Sequence, residues 1–195
     1  MTALAGAVNV PVLLLLNGAP GSGKSTLAAL LAARRPLALA LDVDQLKHSL
    51  GDWEEDLPAA GLQARRLALA LAGRHLADGH DVLIGQYLAR TAFLDQLEAL
   101  AEEHGARFVE AALVADPSTL AERLAARRAA PDRPEQAAND RHVGPADAAV
   151  HATALDRLLA GRPRAHRLEA ARPREELVTA LSRILDAPEI PQEHP

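Results

Sequence analysis

Short apolar runs alternate with longer stretches of helical period along this chain. Runs at 11–16, 37–41, 81–85 and 107–114, with a weaker one at 165–170, predict five strands. Val12-Leu13-Leu14-Leu15-Leu16 is apolar without a break, as in a strand covered on both faces of a parallel sheet. Helices are predicted between them over about 24–34, 61–77, 90–104, 117–128, 147–159 and 174–185, with a short one over 45–50. Gly79 and Gly105 stand where helices should stop before the next strand. Asp116-Pro117 offers an N-cap followed by proline at the first helical position. This alternation predicts an α/β fold of three layers, a five-stranded parallel sheet flanked by helices. The stretch 129–145 differs. It carries Pro131, Pro134 and Pro145 among mixed charges with no period, and is expected as a mobile surface segment. Residues 1–187 read as one domain, and the proline-rich polar stretch 188–195 as a flexible tail.

Composition narrows the classes. A formal charge of −5 over 195 residues lacks the basic footprint of a polyanion binder, and 2% aromatics leaves few stacking platforms, so a nucleic-acid partner is not expected. No cysteine is present, which excludes disulfides and thiolate ligands and agrees with a cytoplasmic setting. The apolar stretch 8–16 lacks a basic flank and runs into glycines, so it reads as a buried strand and not a leader, and no membrane span is expected. Of 21 basic residues only Lys24 and Lys47 are lysines. A chain drifted so far toward arginine retains lysine where a compact ammonium is needed.

Lys24 closes the motif Gly18-Ala19-Pro20-Gly21-Ser22-Gly23-Lys24-Ser25, a G-x-x-x-x-G-K-S loop between a predicted strand and a predicted helix. Its glycines let successive amides turn toward phosphate oxygens, and the following helix adds the positive end of its dipole. Lys24 is expected at the β- and γ-phosphates of ATP, the Ser25 hydroxyl on Mg²⁺, and Thr26 in the first turn near the α-phosphate. Asp42 and Asp44 end the second apolar run, at the carboxyl edge where open α/β sheets bind ligands. Two apart on extended chain they would share a side, one serving Mg²⁺ through water and the other taking a hydroxyl proton. Alternatively, Asp44 caps the helix that follows.

The loop, the Asp42-Val43-Asp44 triplet and the arginines from Arg123 to Arg133 together resemble the small P-loop kinases of the nucleoside-monophosphate-kinase-like group. Chloramphenicol phosphotransferase, polynucleotide kinase and zeta-toxin-like kinases are especially similar. The resemblance covers about residues 10–185 and implies a P-loop NTPase fold with a small lid at about 129–145. It implies transfer of the ATP γ-phosphoryl group to a hydroxyl, with Asp44 as base and Asp42 on the metal side. It also implies lid arginines on the transferring group, with Arg127 and Arg123 ahead of Arg133 and Arg128. Bidentate guanidiniums suit charge developing on phosphoryl oxygens.

One departure is plain: the third run ends in Gln86-Tyr87, where a carboxylate would conventionally stand near the loop. Gln86, Tyr87 and Arg90 thereby become candidate acceptor-site residues, together with Trp53, which either stacks on an acceptor or seals a helix junction. The expected acceptor is a small molecule: an antibiotic, a nucleoside or a sugar-like compound. A regulatory ATP-hydrolysing module, a kinase of nucleic-acid 5′-hydroxyls and a kinase of nucleotide-sugars are the alternatives. The pattern leaves the oligomeric state open.

Overall fold

The structure, a computed structural model, describes residues 10–131 and 134–187, and of residues 134–136 only the backbone. The expected tail, 188–195, and Arg133 lie outside the described residues. Five parallel strands, β1 (Val12–Gly18), β2 (Leu39–Leu41), β3 (Val82–Gly85), β4 (Arg107–Val114) and β5 (His166–Glu169), pair in the order β2-β3-β1-β4-β5. β1 is central, with Leu14 opposite Leu83 on one side and Val109 on the other. The helices are α1 (Lys24–Ala32), α2 (Val43–His48), α3 (Leu57–Ala77), α4 (Ala92–Glu103), α5 (Pro117–Ala129), α6 (Pro134–Asn139), α7 (Ala148–Ala160) and α8 (Arg174–Asp186).

The unbroken apolar run of β1 is buried throughout, because both faces of the sheet are covered. Leu14 and Leu16 pack with Leu27 and Leu31 of α1 and with Leu177 and Leu181 of α8. Leu13 and Leu15 face Ala64, Ala68 and Ala72 of α3 and Leu94 and Leu97 of α4. Alanine at every fourth position of α3 makes a shallow ridge, which lets that helix lie close on the sheet. At the amino edge, Asp81 joins three strands. Its Oδ1 accepts from the Val12 amide at 2.7 Å, its Oδ2 accepts from Arg35 Nε at 2.6 Å, and its carbonyl accepts from the Leu39 amide at 2.8 Å.

Two boundaries and one segment differ most from expectation. Strand β2 starts at Leu39 and not at 37, since Leu37 takes φ 52° and is exposed. Helix α3 begins a turn early, where Asp56 accepts from the Ala59 amide at 2.9 Å ahead of Pro58. The stretch 129–145, expected as a mobile surface segment without period, does contain regular structure. α6 lies within it, and Ala138 and Asp140 are buried.

Candidate active site

At the carboxyl end of β1 the chain turns sharply into α1, and glycine makes the turn possible. Gly21 and Gly23 adopt φ 87° and 91°, where side chains are strained. A Cβ on Gly18 would fall 2.5 Å from Ser22 Oγ, which is itself buried without a hydrogen-bond partner among the described residues. Gly23 stands at the N-cap of α1 without a side-chain cap, so the first amides of that helix face outward. Outward amides at a positive helix end fit a phosphate. Behind the loop, Gly85 of β3 presses against the start of α1. A Cβ there would lie 3.0 Å from Ser25 Cα and 3.1 Å from the Lys24 carbonyl carbon.

Lys24 sits at the electrostatic centre. Burial pushes its ammonium down from 10.5 to about 8; Asp44 pulls against this, Arg127 adds to it, and Asp42 pulls against it last. The charges of two carboxylates and of a guanidinium from α5 thus all act on one amine. Thr26 is exposed in the first turn.

Asp42 and Asp44 do not lie on extended chain, because α2 begins at Val43 between them; that part of the expectation is corrected. The cap is also Asp42, not Asp44. Asp42 Oδ1 accepts from the Asp44 amide at 2.9 Å and the Gln45 amide at 3.4 Å. Ser25, Asp42 and Gln45 share a small cavity of about 70 Å³ with Gly85 and Ala29. That is room for a few waters between hydroxyl and carboxylate. This donor set fits Mg²⁺, which keeps several waters and is held by few protein oxygens. Asp44 stands apart: its Oδ2 accepts from Asn139 Nδ2 at 3.0 Å, and its Oδ1 lies 3.5 Å from Lys47 Nζ.

The lid arginines separate. Arg127 turns to α6 and forms a two-pronged pair with Asp140, its Nε 3.1 Å from Oδ2. Arg123, four residues earlier, instead donates to the Ala170 carbonyl at 2.9 Å, so the expected shared role divides. Arg128 donates to the Asp140 carbonyl at 2.6 Å. Trp53 packs on the last turn of α2, its ring 4.2 Å from that of His48 and 5.2 Å from Lys47 Nζ, as a junction residue does. Gln86 is half-buried, its amide donating to the Leu16 carbonyl at 3.2 Å. The Tyr87 hydroxyl donates to the His151 carbonyl at 3.3 Å, and the two rings meet edge to face. Arg90 is exposed ahead of α4.

Several residues of this site escaped the sequence reading. Asn17 is fully buried; its Oδ1 accepts from the Gly18 and Leu88 amides, and its Nδ2 donates to the Leu88 carbonyl. It ties the loop's first residue to the turn after β3. Its signal was a polar residue closing an apolar run. His151 of α7 was passed over because its sequence neighbours show no metal spacing. Its imidazole is held down chiefly by burial, with Asp147 pulling up and Lys24 pushing down. Asn139 and Asp140 gave no local signal at all.

A glycine-rich turn from the central strand into a helix, with a lysine and a serine at its end, defines a P-loop nucleotide-binding protein of α/β architecture. The chain belongs to the AAA domain family, whose model matches residues 13–144. No curated protein matches it. Among solved structures it is similar to the APS kinase CysC of Mycobacterium tuberculosis in complex with AMPPNP and APS. Identity there is 19%, over 91% of this chain and 99% of that one, with a TM-score of 0.60. A Sinorhizobium meliloti gluconokinase matches at 22% identity over 90% and 94%, TM-score 0.57. The Deinococcus radiodurans tunicamycin resistance protein matches at 15% over 93% and 99%, TM-score 0.59. These likenesses show a fold shared with kinases. Among the described residues no helix is long and apolar enough to cross a membrane.

Proposed function

We propose that this protein is an ATP-dependent phosphotransferase that moves the γ-phosphoryl group to a hydroxyl of a small molecule. The observation that carries the reading is that Asp44 and Arg127, whose charges both act on the buried Lys24 ammonium, are held by the adjacent residues Asn139 and Asp140. A nucleotide-binding module without group transfer needs the loop and a metal-side acid. The second carboxylate and the braced arginine fit phosphoryl transfer to an attacking O–H, and the acceptor screen separates an alcohol from water.

In this reading the loop amides and Lys24 hold the β- and γ-phosphates. Ser25, with Asp42 through water, would hold Mg²⁺, which supplies charge neutralisation on the phosphate oxygens. Asp44 accepts the proton of the acceptor hydroxyl, and Arg127 covers the charge on the equatorial oxygens. Gln86, Tyr87, Arg90 and Trp53 are the candidate acceptor contacts of this reading, and Arg123 is held by the Ala170 carbonyl. The acidic balance of the chain favours a small acceptor over a nucleic acid, and the absence of cysteine agrees with a cytoplasmic setting.

An acceptor screen that follows ATP consumption tests this. It spans antibiotics, nucleosides, sugars, nucleotide-sugars and an oligonucleotide with a free 5′-hydroxyl. Acceptor-dependent turnover, lost in Lys24→Ala and strongly reduced in Asp44→Asn, is the expected result. Turnover at one rate whatever the acceptor would assign the protein to the hydrolysing modules.

A further inference from the structure

Three consecutive residues bind the lid to three walls of the site. Asn139, the last residue of α6, reaches α2: its Nδ2 donates to Asp44 Oδ2 at 3.0 Å, and its Oδ1 accepts from Lys47 Nζ at 3.0 Å. Asp140 is 4% exposed and reaches α5, holding Arg127 by its carboxylate and Arg128 by its carbonyl. Arg141 pairs with Glu54 in the connection between α2 and α3. The stretch 139–141 therefore links Arg127 and Asp44. Both oxygens of Asp44 are engaged, one with Asn139 and the other facing Lys47.

We infer that Asn139 is a specificity-determining residue that makes this site prefer an acceptor hydroxyl over water. The inference rests on the reading of Asp44 as base. A carboxylate oxygen engaged by an amide donor has one lone pair fewer to offer the next hydroxyl. An acceptor brings contacts from the rest of its structure to displace or share the Asn139 bond. Water brings none. In either reaction Asp44 takes the proton of the attacking O–H while that oxygen bonds to the γ-phosphorus. The bond from phosphorus to the bridging oxygen breaks, and that oxygen keeps the electron pair as ADP leaves. Asn139 thus suppresses the hydrolytic branch before an acceptor arrives, a role beyond the exclusion of bulk water by a closed lid.

The test needs no knowledge of the acceptor. Phosphate release from Mg·ATP, with no acceptor added, is measured for Asn139→Ala and for the near-isosteric Asn139→Asp, each in the native and the Asp44→Asn backgrounds. With native Asp44, both substitutions should raise hydrolytic kcat on the order of tenfold, the worth of a hydrogen bond to a charged group, with KM for ATP within twofold. In the Asp44→Asn background neither should change the rate. If Asn139→Ala and Asn139→Asp leave hydrolysis unchanged or lower it while Asp44→Asn lowers it, the specificity role is overturned and Asp44 remains the base. If Asp44→Asn has no effect on hydrolysis, the base assignment falls and the inference falls with it. Thermal unfolding followed by far-ultraviolet circular dichroism gives a folding check that is independent of activity.

Discussion

Raising the pH from 7 to 9 should weaken nucleotide binding about tenfold, through Lys24. The perturbation is deprotonation of an ammonium that burial has brought down to about 8 in the free protein. Bound phosphates add negative charge beside the ammonium, and restore it to its ordinary range or above. For a group with a free value of 8 that stays charged in the complex, affinity falls by the factor 1 + 10^(pH − 8). That factor is about 1.1 at pH 7 and about 11 at pH 9, a loss of about 1.4 kcal/mol. The sign is fixed by the direction of the shift: binding favours the protonated form, so affinity is highest below 8 and declines above it. Two neighbours do not confuse the measurement. Burial raises the Tyr87 phenol and lowers the His151 imidazole, so both stay neutral across this window.

Calorimetric titration with Mg·AMPPNP in two buffers of different ionisation enthalpy reads both affinity and proton uptake. Uptake should grow from about 0.1 proton per nucleotide at pH 7 to about 0.9 at pH 9. Lys24→Ala should bind weakly and lose the slope. An affinity that is flat from pH 7 to 9, with no proton taken up at pH 9, would refute the claim that desolvation outweighs Asp44 and Asp42 at this amine.

Gly85→Ala places a Cβ about 3 Å from the backbone of Ser25 and Lys24; it should cost about 1–3 kcal/mol in thermal unfolding and weaken Mg·AMPPNP binding as the loop shifts. Asp81→Ala strands the buried Val12 amide and frees Arg35 from its inner partner; a loss of about 1–3 kcal/mol is expected by denaturant unfolding, with nucleotide affinity preserved because the residue lies at the opposite edge of the sheet. Burial raises Glu110 above its ordinary 4.5, while Arg162 pulls it down and Glu98 pushes it up. The folded state therefore holds that proton more tightly, and its contribution is lost as pH rises through the raised value. The difference in Tm between the native protein and Glu110→Gln, scanned from about pH 4 to 7, should shift against the native protein as pH increases.

The sheet and the loop were legible because their signals are local. A strand covered on both faces must be apolar at successive residues, and Leu13 and Leu14 do bury on opposite faces. A turn that needs positive φ must carry glycine, as Gly21 and Gly23 do. Prolines misled where their position was not considered. Pro134 and Pro145 were read as breakers of structure, yet each opens a helical element, α6 and a single 3₁₀ turn over Pro145–Asp147. The first helical position needs no amide hydrogen, so proline starts a helix there as readily as it ends one elsewhere. Reading these prolines without their position therefore hid α6.

What the sequence could not reveal at the site was pairing over distance. Asp42 and Asp44 were visible as acids at a strand end, but their roles depend on where the chain bends. The bend at Val43 gives the cap to Asp42 and leaves Asp44 to reach across the cleft. Its partner there, Asn139, is 95 residues away and sits beside no motif. The same holds for Arg127, whose helical spacing with Arg123 implied a common target. A side chain four residues on points along the same face, but its far end goes to whichever acceptor is near. Arg123 finds the carbonyl at the end of β5, while Arg127 finds Asp140. A phosphate loop can be recognised from sequence because one short segment makes the whole binding geometry. The proposed group transfer needs a base and a clamp from different elements; their candidates, Asp44 and Arg127, are held by the adjacent residues Asn139 and Asp140.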